Sequence, residues 1–418
     1  MNVHETEKLY AAFEDHGYFA CDDYNEADAV VLNTCAVREN AETHVYGNLG
    51  LIKKAKEAKP GMIVAVCGCM SQESHMPEYL HKRCPFINII IGTTKLDRLP
   101  SLVENIGPKD YFTDTIIDET VPCGINKAKR NGCNSFVNIT YGCNNFCTYC
   151  IVPYVKGRER SRTLEDIKSE VKSLIESGTK EITLLGQNVN SYNDGRNNFY
   201  ALLSELSSLD GEFWIKFMTS HPKDLSEDVV KLIGSSDKLA NYIHLPLQSG
   251  SDRILKAMNR KYDYSSYKQK IDWIREYIPS AGISSDIIVG FPSETEDEFL
   301  ETIKAVEEIK YNSLFMFIYS KRTGTPAAVM SDQIDEKVKK DRIARLIKVQ
   351  SKIASKIAKD SIGKTEIVLC DSFSDNICTG KTASDKVILF EGNKDLVNNF
   401  VNIEIIDSKN SKLYGKVI

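Results

Sequence analysis

The 418-residue chain contains no apolar run approaching the roughly 18 to 20 residues that a membrane-spanning helix needs, so no membrane anchor is expected. Its start, Met1-Asn2-Val3-His4-Glu5-Thr6, lacks the apolar core of a secretory signal, and a cytoplasmic, reducing compartment is expected. In such a compartment the twelve cysteines are not a disulfide framework. Surplus positive charge is missing too. With 53 Lys and Arg against 58 Asp and Glu, the net charge of −5 excludes a protein that coats nucleic acid through a broad basic surface. Histidine is sparse, and none lies between His81 and His221. Internal repeats and low-complexity tracts are absent as well, which excludes a solenoid.

What the chain does have is cysteine in clusters. Cys143, Cys147 and Cys150 lie within Tyr141-Gly142-Cys143-Asn144-Asn145-Phe146-Cys147-Thr148-Tyr149-Cys150-Ile151, spaced Cys-x3-Cys-x2-Cys. Thiolates are the usual ligands of iron–sulfur clusters, and a fully ligated cluster takes four. A set of three therefore leaves one iron for a small molecule. A structural zinc site would instead want a closed tetrahedron. No second cysteine pair lies nearby, although Cys133, ten residues upstream, can in principle close such a site. Two basic stretches stand out against the acidic whole. One, Lys156 to Arg162, follows the loop and carries Arg158, Arg160 and Arg162, whose guanidinium forks suit phosphate or carboxylate. The other, 337–359, holds nine Lys and Arg, a pattern that a solvated helix face also gives.

The pattern of apolar residues predicts an α/β protein. Residues 1–100 read as a domain of alternating helices and strands: a helix over 3–16, a strand Ala29–Asn33, a helix over 38–58, then strands at 63–67 and 87–91. Continuous apolar strands between helices predict a parallel sheet covered on both faces. Residues 101–133, with Pro108, Pro122 and Gly132, read as a connection. From 134 to 360, strands at 136–141, 181–186, 213–219, 241–247, 283–289 and 313–319 alternate with helices, which predicts a partial (β/α)6 barrel. Active sites of such barrels gather at the C-terminal strand ends, and the cysteine loop follows the first strand. Residues 361–418 turn to short β-rich pieces, predicting a small all-β barrel. Cys35 and Cys69, in Asn33-Thr34-Cys35-Ala36-Val37-Arg38 and Cys67-Gly68-Cys69-Met70, each follow a predicted strand, and two strand ends of one parallel sheet can converge on one ligand. Both also read as small buried cysteines.

The three-cysteine loop resembles that of the radical S-adenosylmethionine (SAM) superfamily. The whole chain is similar to the methylthiotransferases, with an N-terminal methylthiotransferase domain, a radical SAM core and a C-terminal TRAM-like barrel. The stretches 33–42, 141–154, 186–192 and 244–251 resemble the branch that modifies tRNA. The resemblance implies a four-iron four-sulfur cluster on Cys143, Cys147 and Cys150, with SAM on the unique iron, and a second 4Fe-4S cluster involving Cys35 and Cys69. It implies that the SAM methyl and radical chemistry delivers a methylthio group to carbon 2 of N6-isopentenyladenosine at position 37 of tRNA. Other branches act on N6-threonylcarbamoyladenosine or on a ribosomal protein, and a noncatalytic RNA-binding protein with structural metal is a further alternative. An electron donor such as flavodoxin or ferredoxin and a sulfur donor would be partners. By position at the strand ends, Gln187, Asn188, His221, Gln248, Ser249 and Gly290, with Tyr149 of the loop, would face SAM. Gly290 reads equally as a tight strand-to-helix turn, with Ser293 as N-cap and Glu296 completing a capping box.

In the family the second cluster has three cysteines, the first in a Gly-Cys-Gln-Met-Asn-like segment. Here the sequence starts at Met1-Asn2. The resemblance implies a longer native N-terminus carrying the third ligand and a first strand, without which the sheet would show an open edge. Cys67 and Cys21 are the substitutes at hand.

Overall fold

A computed structural model describes residues 2–35, 39–121 and 132–418. Ala36, Val37 and Arg38 of the first cysteine motif, and Pro122 of the expected connection, lie outside the described residues. The chain divides into two compact units: 1–130 with 141–146 and 150–160, and 131–140 with 147–149 and 161–418. No helix among the described residues is long and apolar enough to cross a membrane.

The first unit is built on four parallel strands, β1 (Ala29–Thr34), β2 (Ile63–Gly68), β3 (Ile89–Ile91) and β4 (Phe112–Asp114), in that order. Its helices are α1 (Asn2–Asp15), α2 (Glu39–Ala58), α3 (Met76–Arg83), α4 (Leu99–Asn105) and α5 (Val152–Lys156). Every residue of β2 is buried, because its two faces meet two cores. Ile63, Ala65 and Cys67 pack with Leu9 of α1 and Leu99 and Val103 of α4. Val64 and Val66 pack with Leu49 and Ile52 of α2 and Leu80 of α3. This is the doubly covered parallel sheet that the continuous apolar strands predict. The expected connection 101–133 is corrected at its start: α4 runs through it to Asn105, and β4 adds to the sheet beside β3. Phe112-Thr113-Asp114 is too short and too polar to give a period. Two-residue strands β6 (Thr140–Tyr141) and β7 (Arg160–Ser161) flank the cysteine loop.

In the second unit, strands β5 (Asn134–Asn138), β8 (Glu181–Leu185) and β9 (Trp214–Phe217) form one parallel sheet. Strands β10 (Tyr242–His244), β11 (Gly282–Val289) and β12 (Ser313–Ile318) form a second. Six parallel strands in sequence order, alternating with α6 (Leu164–Glu176), α7 (Phe199–Ser207), α8 (Glu227–Ser235), α9 (Asp252–Ala257), α10 (Tyr264–Tyr277) and α11 (Glu296–Ile309), make the expected partial barrel. Its core runs from Val137 through Ile182, Ile215, Ile243 and Ile283 to Leu314, each side chain contributing about 1.5 to 3 kcal/mol on burial. A capping box starts α11, but on Thr295 and Glu298 instead of Ser293 and Glu296. Ser293 sits in the preceding turn with φ 67°.

Helix α12 (Glu336–Lys359) leads into a closed barrel of β13 (Thr365–Ser374), β14 (Ile377–Thr382), β15 (Val387–Glu391), β17 (Lys412–Val417) and β16 (Phe400–Lys409). Strand β14 carries too little apolar alternation to be read from the sequence. Its turn, Asp375-Asn376, has positive φ at both residues, the geometry of a two-residue hairpin. The next hairpin, β14 to β15, closes the floor of the larger barrel. A Cβ on Gly282, at the start of β11, would lie 2.1 Å from the Ser384 carbonyl oxygen. Asp385 of that hairpin reaches Nζ of Lys216 at 3.1 Å, and Glu181 holds the same ammonium at 2.5 Å. Trp214 meets Phe400 edge-on, 4.7 Å between ring centroids.

Candidate active site and cluster-binding residues

The cysteine loop turns on two residues with positive φ, Gly142 (72°) and Phe146 (46°). At Gly142 a Cβ would lie 2.1 Å from the Arg158 carbonyl oxygen, so only glycine allows that approach. Within the first unit, Cys143 is buried, its amide donates to Gly157 O at 3.2 Å, and Asn145 Nδ2 donates to its sulfur at 3.5 Å. Arg158 stacks on the Phe146 ring at 4.6 Å, and Phe146 meets Tyr154 edge-on.

In the second unit, Cys147 and Tyr149 are held by Arg260. This guanidinium is almost fully buried, and its Nη1 donates to Sγ of Cys147 at 3.2 Å and to the Tyr149 hydroxyl at 3.4 Å. Its Nε donates to the Tyr262 hydroxyl at 2.9 Å. Burial opposes its charge, but Tyr262, Tyr149 and Cys147 more than offset this and hold its pKa above the usual range. Arg260 thus keeps a fixed positive charge beside the Cys147 sulfur. Sequence reasoning missed it, since a lone Arg after α9 carries no motif; its one local signal is Asn259, which takes the left-handed turn before it.

The turns after β8, β9 and β10 carry the other expected residues. Asn190 Nδ2 donates to His221 O and the His221 amide donates back to Asn190 Oδ1, joining two of these turns. The His221 ring meets Tyr262 edge-on at 5.5 Å, and Tyr262 donates to Pro246 O and Leu247 O. At this mouth four buried side-chain atoms have no hydrogen-bond partner among the described residues: Asn188 Oδ1, Ser220 Oγ, His221 Nε2 and Gln248 Oε1. Because the Lys223 amide donates to His221 Nδ1, the ring proton sits on Nε2 and points out as an unused donor. Burial, with Arg260 and Lys223 nearby, holds His221 down to about 2, so it stays neutral. Gln248 has φ 72° and Thr219 69°, strained conformations at the same rim. Gln187 is partly exposed in the turn before Asn188.

Two expected SAM contacts are used otherwise. Ser249 accepts from the Ser251 amide at 3.2 Å and faces Thr302, so its hydroxyl fixes the loop. The Gly290 amide donates to Glu294 at 2.7 Å, and a Cβ there would meet Lys339 Cγ at 2.3 Å. With φ 71°, Gly290 is the tight strand-to-helix turn. The basic stretch is also largely consumed: Arg162 is buried on Glu170 at 2.5 Å, and Arg160 donates to Asp118 O and Lys156 O.

Cys35 and Cys69 leave the C-terminal ends of neighbouring parallel strands, directly after the paired residues Thr34 and Gly68. The Cys69 amide donates to Thr34 O at 3.0 Å, and Gly68 (φ 96°) is forced to be glycine by that same carbonyl, 2.3 Å from a Cβ. Cys69 packs on Ile151 and Val155, and the Thr93 hydroxyl donates to Val155 O. Cys150 is the residue just before Ile151, so the chain from the loop runs directly onto the second cysteine pair within the first unit. Neither substitute ligand fits. Cys67 faces the core, and burial pushes its thiol up to about 12. Cys21 is exposed in a loop. Cys133, the zinc alternative, precedes β5 while the loop follows it; it is buried with Trp214 and Leu369, and burial pushes its thiol up to about 11.

Among the described residues no three His, Cys, Asp or Glu gather as around a single ion. A four-iron cluster takes one thiolate per iron and spreads its ligands more widely than a mononuclear site does. Within the second unit the donor chemistry fits such a cluster: the Cys147 thiol beside a fixed buried cation, and unsatisfied polar atoms at the rim where a polar cofactor would lie.

Fold and loop together define a radical SAM protein. Residues 137–306 match the Radical SAM superfamily, and 1–92 match Uncharacterized protein family UPF0004. The radical SAM methyltransferase TsrM from Kitasatospora setae, solved with cobalamin and a [4Fe-4S] cluster, is similar at TM-score 0.56 and 13% identity, covering 90% of this chain and 77% of that one. That likeness concerns the fold alone. A tRNA-2-methylthio-N(6)-dimethylallyladenosine synthase of Clostridium botulinum (strain Langeland) is 46% identical, over all of this chain and 95% of the relative. The synthase of Caldicellulosiruptor saccharolyticus is 45% identical over all of this chain and 90% of its own length. The chain belongs to this radical SAM methylthiotransferase family.

Proposed function

We propose that the protein is a transferase that adds a methylthio group to carbon 2 of N6-isopentenyladenosine at position 37 of tRNA. The observation that carries this reading is 46% identity, across the whole chain, with enzymes named for making that nucleoside. The two cysteine sets support it: one sits on the barrel loop, and the other at the strand ends onto which that loop leads.

Cys143, Cys147 and Cys150 are the ligands of the cluster that receives SAM, and Cys35 and Cys69 are ligands of the second. When bound and reduced, the clusters and SAM supply a 5′-deoxyadenosyl radical and the sulfur to be inserted, chemistry suited to an aromatic C–H bond with no useful acidity. The chain supplies placement. Arg260 offsets the negative charge on Cys147, and Tyr149 packs beside Ile254, Met258 and Phe291 to keep water from that side. Asn188, Ser220, His221 and Gln248 turn unsatisfied polar atoms toward the polar groups of SAM. A flavodoxin or ferredoxin and a sulfur donor complete the proposed partners.

The test is anaerobic incubation of reconstituted protein with SAM, a low-potential reductant, a sulfide source and tRNA bearing N6-isopentenyladenosine, followed by nucleoside mass spectrometry. The expected product is 2-methylthio-N6-isopentenyladenosine. SAM cleavage with this nucleoside unchanged, or modification of N6-threonylcarbamoyladenosine in its place, would overturn the reading.

A further inference from the structure

We propose that the C-terminal half of α12 is a docking surface for the phosphate backbone of the tRNA substrate, an inference that rests on the tRNA reading above. The two halves of this helix treat their cations differently. In the first half three of the five are consumed by the fold, while Lys337 and Lys340 are exposed. Lys339 pairs with Glu336, Arg342 is buried on Glu294 at 2.8 Å, and Arg345 pairs with Glu296 and Asp341. In the second half, Lys348, Lys352, Lys356 and Lys359 are all exposed, and among the described residues no ion pair or hydrogen bond engages their ammonium groups.

These four fall on one face, since spacings of four, four and three residues keep them within about a quarter of the helix circumference. Successive lysines stand about 6 Å apart along the axis, and the stripe runs about 16 Å. They line one shallow concavity with Ser351, Ser355 and Asp360, so a single carboxylate at the far end faces four ammonium groups and two hydroxyl donors.

The helix that presents them is fixed. Leu346 sits in the core of the large barrel, with Ile343, Val349 and Ile353 packed against it. Gln350 donates to Tyr311 O at 2.9 Å, and Ala358 sits in the core of the small barrel. The stripe therefore bridges the two modules of this unit on a rigid support. A solvated helix face normally mixes signs, as the first half does with Glu336 and Asp341. Four unpaired cations in register, in a chain of net charge −5, fit a regularly spaced polyanion.

The experiment compares wild type, the quadruple variant Lys348→Ala/Lys352→Ala/Lys356→Ala/Lys359→Ala, its all-Arg counterpart, and a control, Lys172→Ala/Lys231→Ala, that removes exposed but paired lysines. Each is assayed as reconstituted enzyme on isopentenylated tRNA across a salt series. The quadruple Ala variant is expected to raise KM for tRNA roughly tenfold, with kcat at saturating tRNA and SAM cleavage unchanged. The slope of log affinity against log salt should flatten by about 3, as loss of four phosphate contacts predicts. The Arg variant should keep the wild-type slope. A quadruple Ala variant with the KM and slope of wild type, while wild type modifies the tRNA, would overturn the stripe alone. Wild type that neither binds nor modifies this tRNA would overturn the underlying reading with it.

Discussion

The floor and the mouth of the central barrel both bury polar side chains and differ in how those side chains are partnered. At the floor, Lys216 is buried but answered twice, by Glu181 at 2.5 Å and Asp385 at 3.1 Å, and the Tyr242 and Ser284 hydroxyls meet at 2.6 Å. Burial works against the Lys216 ammonium, yet these two carboxylates raise its pKa. At the mouth, Asn188, Ser220, His221 and Gln248 are as deeply buried and each has an atom with no partner among the described residues. An unmade hydrogen bond in a buried site costs about 1 to 3 kcal/mol, so four together at one rim mark a place shaped for something other than the fold. The floor is a stability device; on the function proposed above, the mouth gives up stability where SAM would restore it.

Mutations on either side sharpen that contrast. The largest stability effect belongs to the floor. Lys216→Met strands the Glu181 carboxylate in the core, and urea unfolding should show a loss of about 3 to 5 kcal/mol. Lys216→Met/Glu181→Gln should recover most of it, because the uncompensated charge is gone. Failure of the second change to rescue would show that packing, not pairing, sets the floor. A smaller effect tests the mouth by pH. His221 stays neutral in the folded protein, with a pKa of about 2, whereas in the unfolded chain it takes up a proton below about 6.5. Its contribution is therefore complete above pH 6.5 and is lost as pH falls, by about 1.4 kcal/mol per unit. Between pH 6.5 and 5.5, His221→Gln should lose about 1 kcal/mol less stability than wild type; equal slopes would mean that His221 protonates in place.

How far these features were legible in the sequence depended on whether the signal was local. The six barrel strands and the doubly covered N-terminal sheet came from continuous apolar runs, and Cys143, Cys147 and Cys150 from spacing alone. Asn188, His221 and Gln248 were legible because strand ends of such a barrel face one site. Ser249 and Gly290 share that position, and only their partners, Ser251, Thr302, Glu294 and Lys339, show that they serve the loop and the turn. Strand β4 was too short to read, and β14, Ile377-Cys378-Thr379-Gly380-Lys381-Thr382, has too little apolar alternation. Arg260 and Lys216 were illegible because a buried cation is defined by neighbours far away in the chain, at Cys147 and at Asp385. The basic run 337–359 could be counted but not sorted. Only the fold separates its paired cations from its unpaired ones.

The most direct test of the central claim is SAM affinity, measured by equilibrium dialysis on the anaerobically reconstituted enzyme, for Gln248→Met beside wild type. Methionine keeps the length of the side chain and removes the unpartnered Oε1 acceptor. The account predicts that Kd for SAM rises about tenfold, the value of one hydrogen bond, with the urea midpoint unchanged or higher. An unchanged Kd accompanied by a lower midpoint would show that the unsatisfied atoms of the mouth belong to the fold and not to the cofactor.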